Sequence, residues 1–193
     1  PYVNNYTIVW TNYDGTVLET DMGVPYGSTP SFEGAMPSKP SDVQYSYAFS
    51  NWSPMVSKVT GDTTYTAVYS STLNVYDITW KNYDGTVLES DIAVPYGTMA
   101  SYDGNIPIRD ATAEFTYSFK AWSPTISNVT GHMTYTAIFE QAINTYTVKI
   151  ASNNDAYGRI NHSLVENVPY GSLITVINDS LMVEGITIFA TSE

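Results

Sequence analysis

The chain has 193 residues, enough for one large domain or for two to three small ones. Hydrophobic residues make up 43% and aromatic residues 14%, which favours a packed protein over a disordered one. Asp and Glu outnumber Lys and Arg by 19 to 7, and this net charge of -12 disfavours nucleic acid and anionic membrane surfaces as partners. No apolar run approaches the roughly 20 residues of a membrane helix, so no membrane insertion is expected.

A 70-residue repeat organises the chain. Residues 6–70 align with residues 76–140 without a gap, and about half of the aligned positions are identical. A period of this length is typical of tandem modules. The shared blocks are NYDGTVLE at 12–19 and 82–89, VPYG at 24–27 and 94–97, WSP at 52–54 and 122–124, and VTG at 59–61 and 129–131.

A third unit begins at Tyr146 and keeps the VPYG block at residues 168–171, but it lacks the WSP block. We therefore expect three modules, at residues 1–72, 73–142 and 143–193, the last divergent or truncated. The chain starts at Pro1 in a segment that reads as linker, so we also expect it to be part of a longer protein.

The residues within each repeat indicate β-strands. Tyr6, Ile8 and Trp10 alternate with Thr and Val, and this period of two directs one set of side chains into a core. Asp14-Gly15 follows and predicts a hairpin, because the turn requires a positive φ.

Prolines then interrupt the pattern. Four of them between residues 25 and 40 allow at most one helical turn, near residues 31–34. Alternating aromatic residues at 45–49 and 65–69 predict two further strands. Linkers of five residues, 71–75 and 141–145, leave little slack, so the modules are expected to form an elongated rod.

In this order the motifs resemble the internalin-type B-repeat, also called the Listeria–Bacteroides repeat. The resemblance covers residues 6–70 and 76–140, although Asn51 and Ala121 precede Trp where that family usually has Gly. It implies mostly β, β-grasp-like modules with at most a short helix each. It also implies tandem arrays on secreted or wall-anchored bacterial proteins, and this alone predicts an extracellular or cell-surface location.

The sequence gives no basis for catalysis, so we predict no enzyme and no catalytic, cofactor-binding or metal site. Of the two histidines, His132 aligns with Asp62, and neither His132 nor His162 is placed in a nucleophilic triad. There is no Cys, no calcium-loop motif and no Gly-rich phosphate loop. Carboxylates such as Glu19 and Asp21 recur in the second repeat and read as solvated edges.

The aromatic residues divide into two groups. Trp10, Trp52, Tyr47 and Phe49 fall at strand positions that predict burial in the core. Four tyrosines lie instead at turns, where a ring is free to stack on a sugar or a peptide. These candidate exposed ligand contacts are Tyr13, Tyr26, Tyr83 and Tyr96.

The predicted function is that of a non-enzymatic repeat segment of a bacterial surface protein, acting as a stalk or spacer and as an adhesion module. Expected partners are proteins or glycans on a host or neighbouring cell, or a second molecule of this chain. Two alternatives remain: a specific glycan- or protein-binding module with its site near Tyr26 and Tyr96, and an accessory segment of a secreted enzyme. A shared Lys–Asn isopeptide bond is excluded because no Lys recurs at one position in both repeats, although Lys149 leaves it open for the third unit.

Overall fold

The computed structural model of the chain describes residues 2–149, 164–174, 177–178, 181–182 and 186–187. Every regular element within these ranges is a β-strand, which confirms the predicted mostly β class. Residues 31–34, where one helical turn was allowed, are irregular. The rest of the third predicted module lies outside the described residues.

The first repeat forms a mixed four-stranded sheet in the order β2-β1-β4-β3. The central strands β1 and β4 are parallel, whereas β2 and β3 pair with them antiparallel. β2 and β3 therefore run in the same direction at opposite edges of the sheet, where no tight hairpin can join them, and a long connection at residues 26–44, the crossover, links them. The strands are β1 Asn5–Thr11, β2 Val17–Pro25, β3 Tyr45–Ser53 and β4 Thr63–Leu73.

The second repeat forms a sheet of the same order, β6-β5-β8-β7. Its outer pair β7–β8 carries a register shift between Phe119 and Ala121, where β3–β4 has one between Phe49 and Asn51. The third repeat begins with the antiparallel pair β9–β10. The strands are β5 Val75–Lys81, β6 Val87–Pro95, β7 Phe115–Ser123, β8 Met133–Ile143, β9 Thr145–Lys149 and β10 Leu164–Pro169, followed by the short strands β11 Leu173–Ile174, β12 Ile177–Asn178, β13 Leu181–Met182 and β14 Ile186–Thr187.

The predicted Asp-Gly hairpin joins β1 to β2. Gly15 has a φ of 85° and donates its N–H to the Asn12 carbonyl at 3.0 Å. The Asp14 carboxylate accepts the N–H of Thr16 at 3.0 Å, and this hydrogen bond lowers the pKa of Asp14. Residues 82–86 form the same turn in the second repeat.

The core of the first sheet is built around Trp10, which is 1% exposed. Its ring stacks on Tyr65 with a centroid distance of 4.7 Å and meets Trp52 edge-on at 4.8 Å. The indole N–H keeps a hydrogen-bond partner although the ring is buried, because it donates to the Asp21 carboxylate at 2.9 Å. Phe32 from the crossover packs on the same cluster, so the crossover covers the face that the sheet cannot cover itself.

The prediction of core burial is correct for Trp10 but too strong for Trp52, Tyr47 and Phe49, which are only half-buried. The reason is their position on β3, which is an edge strand with a neighbour on one side only. In the second sheet Trp80 is fully buried, stacks on Tyr135 at 4.5 Å and meets Trp122 at 4.9 Å.

Replacing the central indole tests this core. We expect Trp10→Ala to lower the free energy of unfolding by about 3–5 kcal/mol, because truncation leaves a large cavity against Tyr65 and Trp52. Urea denaturation followed by circular dichroism measures the change, with the exposed Val17→Ala as control. A loss below about 1 kcal/mol would show that the site collapses or that the ring is not buried.

One backbone position differs between the two repeats in its conformational cost. Gly23 in β2 has a φ of 75°, and its counterpart Ala93 in β6 has a φ of 58°. This left-handed region is open to Gly but is strained for a residue with a Cβ. The Ala93 N–H is held there by the Asp77 carboxylate, which accepts it at 3.0 Å.

Exchange of these residues should shift stability in opposite directions. Ala93→Gly is expected to raise the free energy of unfolding by about 1 kcal/mol, and Gly23→Ala to lower it by a similar amount. No heavy atom lies within 4 Å of a Cβ built on Gly23, so the expected loss comes from the backbone rather than from a clash. Denaturant titration of both variants measures the pair, and equal signs would contradict the interpretation.

Candidate functional site

The described histidine, His132, has a structural contact rather than a catalytic one. Its Nδ1 accepts the backbone N–H of Asp77 at 3.0 Å, and its ring meets Tyr76 edge-on at 5.3 Å. In the first repeat Asp62 makes the same contact, accepting the N–H of Thr7 at 2.7 Å. An imidazole and a carboxylate are interchangeable here because each supplies one acceptor atom to a backbone N–H of the first strand of its repeat. His162 lies outside the described residues.

The carboxylates considered for a hydrolytic pair, Glu19 and Asp21, accept hydrogen bonds from other groups of the chain. One oxygen of Glu19 accepts the N–H groups of Glu33 and Gly34, both at 2.9 Å, and so ties the crossover to β2. Asp21 is occupied by the indole N–H of Trp10. Within the described ranges no cluster of three or more His, Cys, Asp or Glu could hold a metal ion, and no helix there has the length and apolar character to cross a bilayer.

Two of the predicted ligand contacts, Tyr13 and Tyr83, belong to cation–aromatic clusters. In the first cluster the Lys39 ammonium lies 3.8 Å from the ring centroid of Tyr47 and 5.1 Å from that of Tyr13. Tyr13 is 45% exposed, and Tyr69 meets it edge-on at 5.8 Å. The ring therefore has exposed surface, but a cation of the same chain lies over its face.

The second cluster repeats this arrangement with a different cation. The Arg109 guanidinium lies 3.7 Å from the ring centroid of Tyr117 and 4.6 Å from that of Tyr83. Because Lys and Arg both satisfy a cation–aromatic contact, the two repeats keep the geometry despite the substitution. A sequence comparison that looks for identical residues cannot detect this equivalence.

Asn12 anchors the first cluster to the crossover. Its Nδ2 donates to the Ser38 carbonyl at 3.0 Å, and its Oδ1 accepts the Tyr69 hydroxyl at 2.6 Å. Burial raises the pKa of Tyr69. Asn82 makes the matching bond to the Ile108 carbonyl at 2.8 Å. The Asn of the NYDG block thus joins the hairpin to the crossover in the first repeat and to the equivalent connection, residues 96–114, in the second.

The end of the crossover is closed by Asp42. Its carboxylate accepts the Tyr45 N–H at 2.7 Å, the Gln44 N–H at 2.8 Å and the Tyr47 hydroxyl at 2.9 Å. These bonds favour the charged form, with that of the Tyr45 N–H first, and so lower the pKa of Asp42. In the second repeat the corresponding acceptor is the uncharged Thr112 hydroxyl, which takes the Phe115 N–H at 3.0 Å.

This difference predicts an acid sensitivity that belongs to the first repeat. Because the pKa of Asp42 is lower in the folded state, its stabilising effect is complete above the unfolded-state pKa of about 4 and is lost as the pH falls through the folded-state value. Asp42→Asn should therefore lose less Tm than the wild type between about pH 5 and pH 2. Thr112→Asp is the matched control and should gain acid dependence. Parallel pH profiles of Tm for all three proteins would contradict this assignment.

The other two predicted contacts, Tyr26 and Tyr96, lie beside the chain segment that enters each repeat. The Tyr26 N–H donates to the Asn4 carbonyl at 2.8 Å, and the Tyr96 N–H donates to the Asn74 carbonyl at 2.9 Å. The Tyr26 side chain is 58% exposed, whereas that of Tyr96 is half-buried. The four tyrosines therefore do not form one site in either repeat. Tyr13 and Tyr83 belong to the cation–aromatic clusters, whereas Tyr26 and Tyr96 lie beside the segments that enter the repeats.

A set of hydrogen bonds that we call the linker clamp surrounds Asn74. Its N–H donates to the Gln44 carbonyl at 2.8 Å, and its Nδ2 donates to the Asp42 carbonyl at 2.7 Å. Two residues later the Tyr76 hydroxyl donates to the Val43 carbonyl at 2.6 Å. All five residues belong to one compact unit, formed by Pro1–Asp77, Asp91–Ala100 and Asn128–Met133.

The linker clamp recurs 70 residues later in the other compact unit, formed by Ile78–Ser90, Ser101–Ser127 and Thr134–Glu193. The Asn144 N–H donates to the Glu114 carbonyl at 2.8 Å, and its Nδ2 donates to the Thr112 carbonyl at 2.7 Å. The Tyr146 hydroxyl donates to the Ala113 carbonyl at 2.5 Å. The acceptors are backbone carbonyls, so the clamp survives the change from Asp-Val-Gln to Thr-Ala-Glu in the loop that receives it.

The linker clamp was not predicted, and the predicted five-residue linkers are too long. β4 continues to Leu73 and β5 starts at Val75, so Asn74 alone separates them. A signal was present in the sequence: Asn-x-Tyr occurs at residues 4–6, 74–76 and 144–146. Asn-x-Tyr does not stand out in the sequence, because Asn and Tyr are common in a β-protein of this composition.

An open groove of about 410 Å³ lies on the core side of the first sheet. Its walls are the rings of Trp10, Phe32, Phe49 and Trp52, and Met36 at its margin is 79% exposed. The groove exists because the crossover is irregular and does not close over the edge strand β3.

Comparisons with known proteins identify few similarities. No family model and no curated protein sequence matches the chain. A solved structure of Streptococcal High Identity Repeats in Tandem (SHIRT) domains 3-4 from a cell surface protein matches with 13% sequence identity. The match covers 72% of this chain and 99% of that chain, with a TM-score of 0.34. A TM-score this low does not by itself establish a shared fold.

Proposed function

We propose that this chain is a spacer segment of a bacterial surface protein, built from modules at residues 1–72, 73–142 and 143–193. Its modules are related in this proposal to internalin-type B-repeats, on the motifs given above. The segment holds a neighbouring domain of the same protein away from the cell. This proposal includes an extracellular location and an extended arrangement of the modules.

The duplicated linker clamp is the observation that carries the proposal. A spacer must resist bending at its joints, because a flexible linker would let its modules fold back on each other. In each clamp an Asn and a Tyr donate hydrogen bonds to three consecutive carbonyls of one loop. A single intervening residue whose backbone N–H and side-chain amide N–H are both hydrogen-bonded leaves little backbone freedom, which is the property that a stalk needs.

The side chains that would serve other functions are engaged within the chain, and this also supports the proposal. Lys39 and Arg109 lie over the rings of Tyr13 and Tyr83, and Glu19 binds the crossover. Adhesion through the exposed Tyr26 is a separate hypothesis, which binding to a glycan array would favour over a spacer that only separates domains.

Small-angle X-ray scattering, extrapolated to zero concentration, tests the spacer. We expect an elongated monomer, and we expect the double variant Asn74→Ala/Tyr76→Phe to have a smaller radius of gyration, since both side chains of the first linker clamp lose their bonds. Tyr6→Phe is the matched control, because Tyr6 occupies the equivalent position but makes no clamp bond among the described residues.

Two results would contradict this proposal, the first its spacer function and the second the role of the linker clamp. A compact wild-type particle would show that the modules fold back on one another. An elongated particle whose dimensions are unchanged in the double variant would show that the linker clamp does not control the joint. Circular dichroism melts of each variant identify any change that comes from unfolding instead.

A further inference from the structure

The edge strand β3 of the first sheet has an unusual composition. It is the last strand in the order β2-β1-β4-β3, and no other described strand pairs with its outer side, the β3 edge. Its nine residues, YSYAFSNWS, include no charge and no Pro. Exposed edges normally carry such residues because they prevent pairing with the strands of other molecules. The absence of both marks the β3 edge as a surface able to accept a strand.

The corresponding edge strand of the second repeat, β7, carries a charged residue that protects it from strand pairing. At the position of Ser50 it has Lys120, whose ammonium lies 2.8 Å from the carboxylate of Glu140. Glu140 in turn stands at the position of Ser70. The two edges have the same strand length and the same bulge, so this charge pair is the local difference that bears on strand addition.

The backbone of the β3 edge presents its free groups at defined residues. Tyr45 directs its N–H and its carbonyl away from β4, because both bind Asp42, at 2.7 and 2.9 Å. Backbone groups alternate along an antiparallel strand, so Tyr47 and Phe49 also face outward. Asp42 has already satisfied the groups of Tyr45, and the bulge after Phe49 changes the alternation. The usable donors and acceptors are therefore those of Tyr47 and Phe49.

Tyr47 and Phe49 can pair with the same two residues of a second molecule. An antiparallel strand from a second molecule, related by a two-fold axis at Ala48, would place Tyr47 opposite Phe49 of the second molecule and Phe49 opposite its Tyr47. Each pair could exchange both N–H···O bonds and bring two aromatic rings side by side. Ser50 would follow directly after Phe49, the last residue of this pairing. A two-fold pairing of this kind closes on itself and gives a dimer rather than a fibre.

We propose that the β3 edge binds the β3 edge of a second molecule of this chain, and that the protein dimerises through it. The pairing of Tyr47 with Phe49 in a two-fold register favours a second copy as the occupant, and the uncharged β3 strand does not oppose it. The chain carries a net charge of -12, which opposes most contacts between copies. The register centred on Ala48 brings no charged side chain of β3 opposite another. This inference is independent of the spacer function, because a spacer can be monomeric or paired.

Sedimentation equilibrium over a concentration series tests the pairing. The wild type should rise from its monomer mass of 21.3 kDa towards twice that mass. Ser50→Lys, which installs the residue that the second repeat already has, should weaken self-association by at least about tenfold. Thr20→Lys adds the same charge to the opposite edge strand β2 and should leave the association unchanged.

The two Lys variants distinguish pairing at the β3 edge from a general effect of charge. Both Lys variants reduce the net negative charge, so a general charge effect would strengthen association rather than abolish it. Loss of the dimer in Ser50→Lys alone supports the proposal. A wild type that stays monomeric at every concentration would overturn it, as would a dimer that persists in Ser50→Lys or disappears in Thr20→Lys. Melting curves confirm that Ser50→Lys folds, as expected from Lys120 in the second repeat.

Discussion

The fold depends on burying one tryptophan on a single face of a small sheet. A repeat of about 70 residues has no second sheet and, in the described residues, no helix to cover that face. The crossover between β2 and β3 does so with Phe32, and the indole N–H of Trp10 finds a partner in Asp21. The position of the crossover also determines two other features. The end of the crossover accepts the hydrogen bond of Asn74 in the linker clamp, and its irregular path leaves the groove open.

Polar side chains hold this crossover in place more than they offer chemistry to a ligand. Glu19 and Asp42 accept backbone N–H groups, and Asn12 bridges the hairpin to the crossover. Comparison of the two repeats shows that the geometry tolerates changes of residue type at several such positions. Asp62 is exchanged for His132 and Asp42 for Thr112, because each position needs only an acceptor atom. The repeats can therefore differ in their response to pH while sharing one fold.

The outer strands of the two sheets, β3 and β7, differ in charge. Lys120 and Glu140 form an ion pair at the edge of the second sheet, while serines stand at the equivalent positions of the first. An exposed ion pair of this kind contributes little to stability, so we expect its main effect to be on what the edge can bind. A duplication followed by loss or gain of such a pair would give one module that associates and one that does not.

The sequence by itself determined the repeat, the β class, the Asp-Gly hairpin and the burial of Trp10, because these follow from local patterns: a fixed period, alternation of side chains, and the φ of Gly15. Only the tertiary structure decided where the crossover lies, that Lys39 covers Tyr13, and that Asn74 and Tyr76 bind a loop some 30 residues earlier. Those contacts join residues distant in sequence, and several use backbone carbonyls, which every residue possesses. No residue type marks such acceptors, and a linear pattern therefore cannot identify them.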